Sequence, residues 1–85
     1  MLKLKDIIEY LDPVNSCKIE IIWKSNESYD NDIKPEEVFE GSVLDIPWYL
    51  LEYSLYNDPH EEFNAIEVCK NEGGRVYFYI TLKEN

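Results

Sequence analysis

Three sets of side chains could do chemistry in this chain. The lone histidine, His60, stands in "NDPHEE" beside Asp58, Glu61 and Glu62, which can be written as a general acid–base group. Such a group needs a pocket that positions substrate and tunes its proton affinity, and a polar loop offers none. "DNDIKPEE" carries Asp30, Asp32, Glu36 and Glu37. A calcium loop needs more ligands at fixed spacing, so only weak divalent binding is left open. Cys17 and Cys69 belong to no CxxC and no Cys/His cluster, short of the four ligands of structural zinc. A disulfide between them is geometrically open, but both lie in strand-like stretches, where buried free thiols are usual. No phosphate-binding glycine loop and no nucleophile elbow occurs. The reading is non-enzymatic, with no cofactor and no metal.

Charge says more. Eighteen acids stand against 8 bases, a net charge of −10. Nucleic-acid binders need a basic footprint, so direct nucleic-acid contact is not expected, nor is docking to an anionic membrane. A basic partner suits the charge, and the acids also confer solubility. The opening "MLKLKDIIEYL" is too polar for a signal peptide, and no apolar run reaches membrane-spanning length. The expected location is the cytoplasm. The 85 residues make one domain, residues 1–85, which must commit nearly all its apolar side chains to one core.

The elements that would position these groups follow from periodicity. Leu4, Ile7, Ile8 and Leu11 share a helical face, and Asp12-Pro13 ends that helix. "CKIEIIWKS" alternates, with Cys17, Ile19, Ile21 and Trp23 on one face of a strand. The polar residues 25–37 read as a long loop, and "VFEGSVLDI" as a strand with Phe39 and Val43 on one face. Gly41 inside it suggests a bulge or a close approach. "DIPWYLLEYSLY" predicts a second helix, capped by Asp45 and opened by Pro47. Trp48, Leu51 and Leu55 would share its buried face, with Trp48 anchoring the core. Last comes a hairpin around Gly73-Gly74. A two-residue loop would bury Glu67. A three-residue loop pairs Val68 with Phe78 and Ile66 with Ile80 and puts Gly74 at positive φ. Burial favours the second register. The order α-β-β-α-β-β implies an α+β fold, an antiparallel sheet of about four strands with two short helices on one face.

"LKDIIEYLDP" and "FEGSVLDIPWYLLEY" resemble a family of small uncharacterised proteins from phages and mobile elements of Firmicutes. The most specific part is G-x-V-x-D-I-P-W-Y-L-L, here Gly41, Val43, Asp45, Ile46, Pro47, Trp48, Tyr49, Leu50 and Leu51. The resemblance spans the first helix, two strands and the second helix, and carries no catalytic residue. The chain departs from it at residues 25–37, where a short turn is expected.

The leading expectation is an acidic protein-binding module, an inhibitor of the anti-CRISPR or anti-defence type that occupies the basic nucleic-acid groove of a host protein. Its candidate surface is Glu27, Asp30, Asp32, Glu36, Glu37 and Glu40, with Asp58, Glu61 and Glu62. The long acidic loop is expected to carry this specific function. The alternative is an assembly or docking module without mimicry, using Tyr49, Tyr53 and Tyr56 or a sheet edge, with homodimerisation as one form.

Overall fold

The computed structural model describes residues 2–23, 35–56 and 65–84. Its centre is β5 (Val76–Lys83), the longest strand. Ile80 and Leu82 are fully buried on it, and Thr81 is almost so. On one side β5 pairs with β1 (Ser16–Ile22), which pairs in turn with β2 (Glu36–Ser42). Its other edge is shared. β4 (Ile66–Lys70) pairs with the first half of β5, and the two-residue β3 (Ser54–Leu55) with its end. Residues 2–4 run beside β3, with Leu4 N donating to Tyr53 O at 3.0 Å and Leu55 N to Leu2 O at 2.8 Å.

The α+β class stands, but the sheet has five strands rather than four, and it is mixed rather than antiparallel. β1 runs parallel to β5, Ile19 beside Ile80 and Ile21 beside Leu82. Turn chemistry dictates the hairpins, whereas the relation between distant strands depends on burial. The two most apolar strands lie side by side because neighbours on both sides cover them.

The hairpin has the register that burial favours, Val68 opposite Phe78 and Ile66 opposite Ile80, and Gly74 has φ 78°. Asn71 Oδ1 accepts from Gly73 N at 2.9 Å and Arg75 N at 3.0 Å, which locks the turn. The first helix is shorter than the pattern suggests. α1 spans Leu4–Ile7 and tightens to 3-10 over Ile8–Tyr10. Its expected face still turns inward, with Leu4 buried and Ile7, Ile8 and Leu11 packed on the core.

The second α-helix is absent. Val43–Asp45 and Trp48–Glu52 are 3-10 helices, and the chain then extends into β3. Helix propensities separate ordinary residues by under about 1 kcal/mol, too little to outweigh sheet pairing. Here residues 53–56 bond to residues 2–4, and Tyr56 N donates to Thr81 O at 3.0 Å. Asp45 consequently does not cap the Trp48–Glu52 helix; its Oδ2 accepts from Ser42 Oγ at 2.9 Å. Val43 is buried from a 3-10 turn rather than a strand, and Leu55 from β3.

The core unites Leu4, Cys17, Ile19, Ile21, Val43, Leu50, Leu55, Ile80 and Leu82 on one face of the sheet. Trp48 does not belong to it and is 79% exposed. Cys17 points into this core and Cys69 to the opposite face, so the two thiols are free and cannot bridge. Burial pushes the Cys17 thiol up to about 11, which keeps it protonated and inert at neutral pH. Among the described residues no helix is long and apolar enough to cross a membrane.

Candidate protein-docking surface

Two surfaces could meet a partner, and different parts of the fold build them. The first is an apolar cleft of about 300 Å³. One wall is Ile8, Leu11 and Pro13, where the first helix ends. The other is Val43, Leu44, Ile46 and Leu51, from the two 3-10 helices. Backbone bonds clamp the walls together: Val43 N donates to Asn15 O at 2.9 Å and Leu44 N to Pro13 O at 3.0 Å. The cleft is therefore built into the fold.

Large apolar side chains of the lining, or next to it in sequence, are exposed to water. Leu44, a lining residue, is 75% exposed, and Trp48 and Tyr49 are 79% and 50% exposed. Trp48 and Tyr49 lie between the lining residues Ile46 and Leu51, and their rings meet edge to face at 6.4 Å. Tyr10 and Val14, at the opposite wall, are also exposed. Isolated exposed apolar residues need no explanation, but a group around a cleft marks a contact surface. The rim is acidic. Glu9 lines the cleft, and Asp12 and Asp45 are exposed next to lining residues.

The second surface is the other face of the sheet, closed where Ile22 and Thr81 are buried and open along Glu37, Glu40 and Glu67. Its side chains come from alternate residues of the strands. In one cross-strand row Glu40 opposes Lys18, which neighbours Tyr79, which opposes Glu67. In the next row Glu37 opposes Glu20, which neighbours Thr81. A bulge at Val38 makes this arrangement, since Glu37 and Glu40, three residues apart, come to the same face. Like charges directly opposite are unfavourable, yet Glu20 is held from its other side. Tyr79 donates its hydroxyl proton to Glu20 Oε2, and Thr81 Oγ1 donates to Oε1 at 3.0 Å. The Glu20 bond, together with partial burial and nearby negative charge, pushes the Tyr79 phenol up to about 12. Lys18 Nζ lies 5.5 Å from the Tyr77 ring centre, within cation–π range.

Comparison with protein-family models, curated proteins and solved structures finds no match for this chain. The site therefore rests on geometry alone.

The expected site residues are dispersed. Glu27, Asp30, Asp32, Asp58, Glu61 and Glu62, with His60 and most of the long loop, lie outside the described residues. Glu36 and Glu37 belong to β2, not to a loop. Glu37 and Glu40 share the open face, whereas Glu36 pairs with Ile21 on the other and accepts from Trp23 Nε1 at 2.6 Å. The tyrosines also part. Tyr49 is at the exposed rim, Tyr53 packs on the core edge-on to Trp23 at 6.0 Å, and Tyr56 is half-buried beside β5. Among the described residues no group of three His, Cys, Asp or Glu could hold a metal.

Leu44 and the cleft were missed by the sequence reading. The local signal is the adjacent apolar pair Val43-Leu44, which breaks the alternation of a strand. The hydrogen bond between Tyr79 and Glu20 has no signal in the sequence, because it joins residues far apart in the chain.

Proposed function

We propose that the chain is a non-enzymatic protein-binding module that docks on a basic protein through an apolar face framed by carboxylates. The carrying observation is the exposure of Leu44, which lines a built cleft, and of Trp48 and Tyr49 on the segment that forms one of its walls, in a chain of net charge −10. Tryptophan and tyrosine dominate the energetics of protein interfaces. Surrounding acids speed and select a cationic partner more than they add raw affinity.

A second reading has its own support. Glu20, Glu37, Glu40 and Glu67 extend across one sheet face, and rows of carboxylates can compete for a groove lined with Lys and Arg. On that reading the protein acts as a nucleic-acid mimic, an inhibitor of the anti-defence type; its charge suggests the mimicry, and its resemblance implies only an origin in phages or mobile elements. The outer edge of β2 carries Glu36, Glu37 and Glu40, charges that guard an edge against self-pairing, so homodimerisation by strand addition at that edge is disfavoured.

The test is capture from cell lysate with the protein and two variants, Leu44→Ser/Trp48→Ala and Glu37→Gln/Glu40→Gln/Glu67→Gln. Loss of the captured protein with the first variant supports docking through the apolar face. Loss with the second alone, together with steep weakening by salt, moves the function to mimicry. Capture unaffected by either defeats both surfaces.

A further inference from the structure

We propose that the cleft between the first helix and the 3-10 segment takes a short apolar peptide segment of its partner, flanked by lysine or arginine. This rests on the protein-binding reading above and names what that site recognises.

The shape fits a peptide. A volume of about 300 Å³ is at the small end of ligand sites. The walls are aliphatic, and the exposed Leu44 marks a mouth open to solvent. Such a cleft has room for a few aliphatic side chains presented from outside. The backbone bonds from Val43 and Leu44 hold the walls in place before any partner arrives, which lowers the ordering cost of binding.

Charge selects the flanks. Among the described residues no lysine, arginine or histidine lines the cleft. Of the lysines nearest in sequence to its lining, Lys3 and Lys5 lie 3.5 and 3.4 Å from Glu52, and Lys18 Nζ lies over the Tyr77 ring. Glu9 lines the cleft, and Asp12 and Asp45 flank lining residues on opposite walls. An apolar segment entering with Glu or Asp at its ends would meet like charge from both sides. One entering with Lys or Arg would be drawn in, the more so because the whole chain is acidic. A second copy of this chain is a poor occupant, since its own exposed apolar face has this same acidic rim.

The experiment is fluorescence anisotropy with three labelled synthetic peptides. The first has two leucines one helical turn apart between pairs of lysines. The second replaces those lysines with glutamates, and the third replaces the leucines with serines. The first should bind on the order of tenfold more tightly than either of the others, as expected for losing one or two partly buried apolar side chains or for reversing the flanking charge. Leu44→Ser should weaken the first peptide by on the order of tenfold. Glu9→Gln/Asp45→Asn should weaken it less and flatten its salt dependence. Both variants alter exposed side chains and should fold as the parent does, checked by circular dichroism. Equal binding of the leucine and serine peptides overturns the proposal, as does no binding of the first peptide. Binding that survives Leu44→Ser but falls with Glu37→Gln/Glu40→Gln also overturns it, moving recognition to the sheet face while leaving a protein-binding role intact.

Discussion

Leu50 and Trp48 lie two residues apart on one 3-10 helix, yet Leu50 is fully buried and Trp48 is 79% exposed. Trp48 is the larger and by size alone the better core residue. With 3.0 residues per turn, the helix turns only a narrow stripe inward, and the flanking bonds decide which. Residues 53–56 extend beside residues 2–4, and Leu50 joins the buried core that holds Leu4, Ile19 and Leu82. Trp48, just after Pro47, is left on the outer side. Position relative to the sheet, not side-chain size, separates core from contact surface here.

The most severe break of that comparison is on the inner side. Leu50→Ala should cost about 2–5 kcal/mol, as for other buried leucines, seen as a lower midpoint in urea denaturation. Leu44→Ala, on the outer side of the neighbouring turn, should stay within about 0.5 kcal/mol. Equal losses would show that the two sides are not distinct.

A second test concerns the turn rather than the core. Gly74 has φ 78° with no atom within 4 Å of where a Cβ would stand. Gly74→Val therefore meets backbone strain and no clash, and should cost about 1–3 kcal/mol. Gly74→Asn, which tolerates that conformation, should cost clearly less. If both cost the same, the turn has another geometry.

That hairpin was fully legible. A Gly-Gly pair, alternating apolar residues and the need to keep Glu67 out of the core together admit one register. The inward face of the first helix was legible for the same reason: Leu4, Ile7, Ile8 and Leu11 repeat at helical spacing, whether the turns are α or 3-10. What failed was nonlocal. Nothing near "WYLLEYSLY" announces that its end will pair with residues 2–4 and the tail of β5, so helical spacing alone predicts a helix with Trp48 inside. The parallel neighbours β1 and β5 meet only because both are apolar on their core face. The Val38 bulge, which puts Glu37 and Glu40 on one side, is invisible to simple alternation.

The open sheet face offers a gentler probe. The Tyr79 phenol sits at about 12 against an ordinary value near 10 because it donates to Glu20. A raised folded value means the native state holds this proton more tightly than the unfolded chain. The resulting stabilisation is complete below about pH 10 and lost as the pH rises through about 12. In Glu20→Gln the Tyr79 transition should move back toward the ordinary tyrosine range, read by phenolate absorbance. An unmoved transition would show that burial alone holds it up.

The smallest expected change in stability is the most telling, because it falls on the motif residue that sequence periodicity assigns to the core. Thermal denaturation of Trp48→Ala, run beside capture of the partner, tests the central claim that the "DIPWY" edge is a contact surface. The account predicts a melting temperature within a few degrees of the parent, for a change under about 0.5 kcal/mol, and a clear loss of partner capture. A collapse of stability by about 3–5 kcal/mol, the cost of truncating a buried tryptophan, would contradict it.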